Sequence, residues 1–223
     1  MRCYTTGGRY GDHKYDGAVA VGSIVYFVPS QQNNVGVLDT VSSAFSTIAT
    51  TGDAASGSYK YSGAVAVGTK VYFVPLGQNN IGVLDTVSGN FSTVATTGGK
   101  YKGGAAVGTT LYFAPADQAN VGVFDTFNNI FTTVDIPSAQ DKWGNQESSQ
   151  YNGAAVVGSK VYFAPDKAND IGVMDAATCK FSTIAASGVA ATNIGTYGAN
   201  SYAGAAAVGL KAEAYTRSLI SST

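Results

Sequence analysis

Short apolar stretches alternate along the chain with clusters of Gly, Asn, Asp, Ser and Pro, and they recur in a fixed order. Residues 61–94 show this order most clearly: Gly-Ala-Val-Ala-Val-Gly, Val-Tyr-Phe-Val-Pro, Ile-Gly-Val-Leu-Asp and Phe-Ser-Thr-Val. β-Branched and aromatic residues dominate the stretches, and the residues between them favour turns. The pattern predicts four short β-strands per unit, with no helical periodicity before the C-terminal tail.

This unit is repeated along nearly the whole chain. Matching copies cover residues 15–48, 61–94, 101–134 and 151–184, and a fifth copy begins at Tyr202 and stops matching after Gly209. We expect a single domain over residues 1–223, with repeats at about 15–60, 61–100, 101–150 and 151–201. Residues 202–223 together with 1–14 form a partial repeat, whose end is a degenerate strand or a short helix.

Four short strands in a unit of roughly 40–50 residues are typical of a β-propeller blade. The first strand contains almost only Gly, Ala and Val, which suits the crowded innermost strand of a blade. The predicted fold is all-β: a β-propeller with four complete four-stranded blades plus a partial fifth. It is closed by a strand clasp from the N-terminal segment, or left as an open arc whose edges a partner or another copy covers.

Composition excludes several classes of partner. Only 12% of residues are charged, and 13 basic and 14 acidic residues give a net charge of −1. A nucleic-acid binder normally carries a basic stripe, and a protein that binds anionic lipid carries a polybasic patch. We therefore expect no nucleic-acid partner, and the absence of a long apolar run predicts no membrane insertion.

The cysteines and the N-terminal residues bear on the compartment. Cys3 and Cys179 are too few for a disulfide scaffold, so we expect two free thiols. A disulfide between them is the alternative if ring closure brings both to one face. The first residues lack the apolar core of a signal peptide, and a cytoplasmic location is the default expectation.

The unit Lys-Tyr-Ser-Gly-Ala-Val-Ala-Val-Gly-Thr-Lys-Val-Tyr-Phe-Val-Pro, followed by Ile-Gly-Val-Leu-Asp-Thr and Phe-Ser-Thr, resembles the kelch-like repeats of β-propeller proteins. The resemblance covers residues 15–209 and is closer to divergent algal and protist arrays than to animal kelch proteins. Only Gly103-Gly104 offers the glycine pair of a standard repeat, and no repeat has its Trp. The resemblance implies a propeller, but the family includes scaffolds, adaptors and a few enzymes.

Residues that recur in every copy are explained by the fold. Each unit has an aspartate between its third and fourth strands (Asp39, Asp85, Asp125 and Asp175), where a carboxylate accepts backbone N–H bonds across a turn. A catalytic or metal site would not be needed once per blade. His13, the only histidine, lies in an irregular leader, so no His-based site is expected and we predict no catalytic residue, metal or cofactor.

Two sets of residues are candidates for binding. The tyrosines that open the first strands either pack at the blade entrance or form a ring of aromatics that stacks on a sugar or peptide. The loops between second and third strands share one face with the links between blades, which gives an amide-rich rim beside the only tryptophan. The candidate binding residues are Trp143, Lys142, Asp141, Gln146, Asn34, Asn80, Asn120, Tyr61, Tyr101 and Tyr151.

These observations favour a non-enzymatic protein-interaction scaffold, or a subunit of a larger assembly, that binds protein partners through its loop-rich face. The alternative is a lectin-like carbohydrate binder that uses Trp143 and the amide rim. An enzyme is the weakest of the three hypotheses, because no cluster of catalytic residue types stands outside the repeat.

Overall fold

The computed structural model describes residues 13–136, 150–166, 168, 170–185, 202–208 and 211–216. Within these ranges the regular structure consists of β-strands and one short 3-10 helix, Gly52–Ala55, in the first link between repeats. The helix was not predicted. The hydroxyl of Thr50 closes this segment by donating a hydrogen bond of 2.8 Å to the carbonyl of Ala54, which is buried.

Each complete repeat forms one antiparallel four-stranded sheet whose strands follow chain order. We call these sheets blades one to four, and their strands are as follows. Blade one contains β1 (Tyr15–Val21), β2 (Ile24–Pro29), β3 (Asn34–Asp39) and β4 (Phe45–Ala49). Blade two contains β5 (Tyr61–Val67), β6 (Lys70–Pro75), β7 (Asn80–Asp85) and β8 (Phe91–Ala95). Blade three contains β9 (Tyr101–Val107), β10 (Thr110–Pro115), β11 (Asn120–Asp125) and β12 (Ile130–Asp135). Blade four contains β13 (Tyr151–Val157), β14 (Lys160–Pro165), β15 (Asp170–Asp175) and β16 (Lys180–Ala185).

The fifth repeat contributes a hairpin of β17 (Tyr202–Val208) and β18 (Lys211–Thr216). The segment after Gly209 is therefore a strand, which selects the degenerate-strand alternative over the short helix. The described sheets do not close into a ring. The predicted strand clasp depends on residues 1–14, most of which lie outside the described residues.

The first two strands of each blade share one hairpin geometry. In blade one Tyr15 pairs with Pro29 and Ala18 with Phe27, so β1 carries one extra residue, a β-bulge, at Gly17. Gly17 has φ +100°, a conformation that only glycine adopts without strain. The strands then turn through Gly22, whose φ of +59° suits the first position of a two-residue hairpin loop.

The innermost strands of successive blades lie side by side, β1 next to β5, β5 next to β9, β9 next to β13 and β13 next to β17. The bulge glycines bring their backbones close together. A Cβ atom built on Gly63 would lie 2.8 Å from the Cα of Gly103, and one built on Gly103 would lie 2.8 Å from the Cα of Gly153. Because any side chain here would overlap the next strand, crowding selects the small residues of the first strand, as the sequence pattern predicted.

Successive blades pack face to face through the adjacent Tyr and Phe of each second strand. One face of blade one presents Tyr26, Val28 and Val35, and these side chains pack against Tyr61 and Phe73 of blade two. The same arrangement recurs between blades two and three and between blades three and four. Among the described side chains, the hydrophobic core therefore consists of three similar layers between blades. The predicted all-β blade architecture is confirmed.

Candidate interaction surfaces

The turns between third and fourth strands are held by the recurring aspartates. Asp85 Oδ1 accepts hydrogen bonds of 3.0 Å from the backbone N–H groups of Val87 and Ser88, and Asp39, Asp125 and Asp175 make the matching pair of bonds. These bonds favour the charged carboxylate, so the pKa of each of the four aspartates lies below its usual range. The prediction that these aspartates are turn residues is confirmed.

A threonine after the aspartate joins this turn to the neighbouring hairpin. Thr40, Thr86 and Thr126 each donate a hydroxyl hydrogen bond of 2.7 or 2.8 Å to the carbonyl of the residue after the hairpin glycine. In blade four Ala176 occupies this position and keeps only the backbone bond to Ser159. The turns and hairpins of all four blades thus form one surface, which we call the turn face.

The turn face exposes a row of large apolar side chains that the sequence reasoning missed. Val41, Val87 and Phe127 occupy the same position in three successive turns and are 81%, 79% and 83% exposed. Each is held at the turn tip by its backbone bond to the aspartate. The signal was present in the sequence, since an apolar residue two places after the aspartate is not required by a turn.

On the opposite side, the tyrosines that open each blade are bonded to the residue that opens the third strand. The hydroxyl of Tyr15 donates to Asn34 Oδ1 at 2.6 Å, and Tyr61 and Tyr101 donate to Asn80 and Asn120 at 2.5 and 2.6 Å. In blade four the acceptor is Asp170, at 3.2 Å from the hydroxyl of Tyr151. The structure thus brings the predicted tyrosines and asparagines together as internal pairs.

The rings of Tyr61, Tyr101 and Tyr151 are 0%, 1% and 2% exposed, so they do not form a surface for stacking. Burial raises the pKa of each hydroxyl, and the Asp170 carboxylate raises that of Tyr151 further. Of the two interpretations of these tyrosines, packing at the blade entrance describes their placement. Asn80 is also buried, and Asn34 and Asn120 are half-buried.

Each of these tyrosines belongs to an aromatic cluster that lies on a third-strand glycine. In blade two the ring centroids of Tyr61 and Phe73 are 6.0 Å apart, and those of Phe73 and Phe91 are 5.9 Å apart. A Cβ atom on Gly82 would lie within 3.1 Å of all three rings. Blades three and four repeat this cluster, which explains why the Tyr, Gly and two Phe positions recur together.

The amide-rich rim is confirmed to share its face with the links between blades, and we call it the loop face. Gln78 Nε2 donates to the carbonyls of Asp53 and Ser56 in the first link at 3.3 and 3.0 Å, and Gln118 Nε2 donates to the carbonyl of Gly99 in the second. These amides pin the links to the blades. Their donors are therefore engaged within the chain rather than presented to a ligand.

Lys60 is a buried lysine on the same face, directly before Tyr61. Its Nζ donates to Asn33 Oδ1 at 3.1 Å and to the carbonyl of Gly57 at 3.3 Å, which ties the first link to the loop of blade one. Burial lowers the pKa of its ammonium group. The side chain is completely covered, so it acts as a structural tie rather than as a surface charge.

Four candidate binding residues and one cysteine lie outside the residues that the structure describes. Trp143, Lys142, Asp141 and Gln146 all belong to the third link and lie outside the described residues, as does Cys3. Cys179 is an exposed free thiol. The ring of His13 lies 6.0 Å from that of Tyr59, at the loop-face end of blade one.

Within the described ranges, no group of three or more His, Cys, Asp or Glu side chains is placed to hold a metal ion. No helix in the described part of the chain is long and apolar enough to cross a bilayer.

The fold and these surfaces define a β-propeller-like repeat protein. No family model and no curated protein matches the chain. Among solved structures it is similar to Kuenenia stuttgartiensis hydrazine synthase, with a TM-score of 0.60 at 13% sequence identity. The match covers 82% of this chain and 53% of that chain, so this chain spans about half the length of the matched protein. At this identity the likeness supports the all-β blade fold and carries no activity with it.

Proposed function

We propose that the chain is a non-enzymatic interaction module, a scaffold or subunit that binds protein partners. The observation that carries this proposal is the exposed row of Val41, Val87 and Phe127 on the turn face. A turn does not need a large apolar residue at this position, because Ala177 occupies it in blade four. Exposed apolar side chains in matching positions of adjacent blades offer contacts of the kind that protein interfaces use.

The loop face is the second candidate surface for the same function. We expect the third link, residues 135–150, to belong to this face, and it contains Trp143, Lys142, Asp141 and Gln146. An aromatic residue among charged and amide side chains is a common composition for a binding hot spot. The two faces lie at opposite ends of the strands, so substitutions can separate their contributions.

A carbohydrate ligand on the loop face is the alternative proposal. The described residues favour it less than a protein partner, because the amides of Gln78 and Gln118 are engaged with the links and the blade tyrosines are buried. A kelch-like ancestry stays a prediction from the repeat pattern. It is compatible with either ligand, since kelch-like propellers do not share one function.

Affinity capture from the source cells, with chemical cross-linking and identification of partners by mass spectrometry, tests the proposal. Wild type is compared with the triple variant Val41→Ser, Val87→Ser, Phe127→Ser and with Trp143→Ala. We expect one stoichiometric partner that the triple variant no longer captures. Loss with Trp143→Ala alone would assign binding to the loop face instead. Capture that neither variant changes would contradict both surfaces.

A glycan array and metal analysis of the purified protein address the alternatives. Glycan binding that disappears in Trp143→Ala would support the carbohydrate proposal. A stoichiometric transition metal in the purified protein would contradict the non-enzymatic proposal.

A further inference from the structure

The turn face carries one aspartate in each of the four blades, but the blades differ in how that charge is balanced. In blade four the strand register pairs Asp175 with Lys160 on one side and with Lys180 on the other. In blade two it pairs Asp85 with Lys70. A cation opposite a carboxylate across a sheet compensates its charge. The turn of blade two is therefore neutral, and that of blade four is positive.

Blades one and three lack this compensation. Asp39 pairs with Ile24, and Asp125 pairs with Thr110 and Ile130. Hydrogen bonds within the turn lower the pKa of both aspartates, with no contribution from a described cation. Both side chains are thus carboxylates at neutral pH, and no lysine among the described residues balances them.

The large apolar side chains of the turn face occur where lysine is absent. Phe127 belongs to blade three and Val41 to blade one, the two blades whose aspartates are unbalanced. Blade two combines Val87 with one lysine, and blade four, with two lysines, has only Ala177 at this position. In blade three Ile130 adds a further apolar side chain that is 55% exposed. Exposed apolar surface and unbalanced negative charge therefore coincide.

A partner that covers the apolar row also comes onto these carboxylates. The backbone nitrogen of Val41 lies 2.8 Å from Asp39 Oδ1, and that of Phe127 lies 2.8 Å from Asp125 Oδ1. Removing an ionised carboxylate from water without a countercharge is unfavourable, and it opposes the gain from apolar contact. Favourable binding thus requires positive groups in the partner, next to its own apolar side chains.

We propose that the partner of the turn face is a protein segment in which apolar side chains stand next to lysine or arginine, and that these cations contact Asp39 and Asp125. The inference rests on the turn-face interaction proposed above and adds the chemistry of the partner. An anionic lipid surface is unfavourable, because its phosphates would face the two carboxylates. An acidic protein segment is unfavourable for the same reason.

Two model peptides with the same pattern of leucines test the charge requirement on the full chain. One peptide carries lysine at all other positions, and the second carries glutamate there. Fluorescence anisotropy of each labelled peptide measures its binding to wild type. We expect the lysine peptide to bind at least about tenfold more tightly than the glutamate peptide. Its affinity should fall as the salt concentration rises from about 0.05 to 0.5 M.

The repeat itself suggests the variant that locates this charge effect. Ile24→Lys with Thr110→Lys places a lysine opposite each unbalanced aspartate, as residues 70 and 160 do in the other blades. We expect this double variant to bind the lysine peptide about fivefold more weakly, and Thr110→Lys alone to lie between it and wild type. Thr93→Lys with Thr133→Lys is the matched control. It adds the same charge at exposed positions in the middle of outer strands and should bind as wild type does.

The charge inference is overturned if wild type binds neither peptide, or binds the glutamate peptide as tightly as the lysine peptide. It is also overturned if the lysines at positions 24 and 110 have no effect, or no more effect than those at 93 and 133. The proposed function is judged separately, by partner capture with the triple serine variant. Loss of the lysine peptide in that variant alone would leave the apolar contact standing and refute only the charge requirement.

Discussion

One position in the turn between third and fourth strands has a left-handed backbone in every blade. It is Ser43 in blade one, Gly89 in blade two, Asn129 in blade three and Cys179 in blade four, with φ between +54° and +73°. Glycine adopts this conformation without strain, and asparagine tolerates it better than other residues. The repeat thus carries the most suitable residue only in blade two.

Replacing Cys179 by glycine is expected to raise the free energy of unfolding by about 1 kcal/mol, because it relieves the left-handed strain at an exposed site. Ser43→Gly should act in the same direction. Denaturant unfolding of each variant against wild type provides the measurement. Gly89→Ala is the matched control and should destabilise by about 1 kcal/mol, since the new Cβ meets no atom within 4 Å and only the backbone conformation is affected. A Cys179→Gly protein that is no more stable than wild type would contradict this account.

Ser30 presents a different residue-level defect, a buried hydroxyl without a hydrogen-bond partner in the described structure. It follows the Pro of β2, and the matching residue of blade three is Ala116, which is equally buried. We expect Ser30→Ala to stabilise the protein by about 1 kcal/mol, because it removes an unsatisfied polar group without leaving a large cavity. Thermal unfolding by calorimetry measures the change, and a lower melting temperature would show that the hydroxyl has a stabilising contact. Thr50→Ala is a useful contrast, since that buried hydroxyl is bonded and its loss should destabilise.

At the scale of the strand, the aromatic cluster explains why glycine recurs in the middle of every third strand. A β-strand normally disfavours glycine, which makes this position uninformative when a single strand is considered. Glycine is required there because three aromatic side chains from other strands pack against it, as Tyr61, Phe73 and Phe91 do around Gly82.

Gly82→Ala is therefore expected to destabilise the protein by about 2–3 kcal/mol, because the added methyl would lie 2.9 Å from the Phe91 ring and 3.1 Å from two others. The Gly68→Ala variant, in the hairpin of the same blade, meets nothing within 4 Å and should lose only about 1 kcal/mol. Chemical denaturation compares the two. Equal losses would show that the cluster yields readily to a methyl group.

The aspartate turns make the folding stability of the protein dependent on pH. The pKa of Asp85 is lowered chiefly by the backbone N–H groups of Ser88 and Val87, and the other three turn aspartates are shifted in the same direction. A carboxyl group whose pKa is lower in the folded state stabilises above its unfolded pKa of about 3.9 and loses that effect as pH falls through the folded pKa. Stability should thus decline below about pH 4. The quadruple Asp→Asn variant at positions 39, 85, 125 and 175 should show a shallower decline in acid unfolding curves, and an unchanged slope would contradict the assignment.

The strands, their order and the turn aspartates could be predicted because they depend on residues close in sequence and on a pattern repeated four times. The hydrogen bonds that polar side chains make between strands and links could not be predicted. Tyr61 and Asn80 were candidates for binding, but they satisfy each other across the sheet. Gln78 is bonded to a link whose path depends on the 3-10 helix, which the repeat pattern does not contain. The candidate surface on the turn face does not follow from the turn pattern, because turns that begin with aspartate are usually polar; the apolar residues Val41 and Phe127 two places after the aspartate are its only signal in the sequence.

At the scale of the whole molecule, the described blades form an array. Blades two to four each have a described sheet on both sides, whereas no described sheet packs on the outer side of blade one. Stability in such arrays is approximately a sum of unit and nearest-neighbour terms. A blade that lacks one interface should therefore open more readily than its neighbours, even when its own sequence is the same.

Blades one and two allow a direct comparison, because residues 25–29 and 71–75 are both Val-Tyr-Phe-Val-Pro and have the same intrinsic exchange chemistry. We expect the amides of β2 to exchange at least about tenfold faster than those of β6. Hydrogen exchange resolved by mass spectrometry measures both strands in one sample, so each serves as the control for the other. Equal protection of the two strands would contradict this expectation and would mean that blade one is as well supported as blade two. Faster exchange in β2 would show that blade one opens more readily than blade two, in keeping with the exposure of Phe45 in blade one.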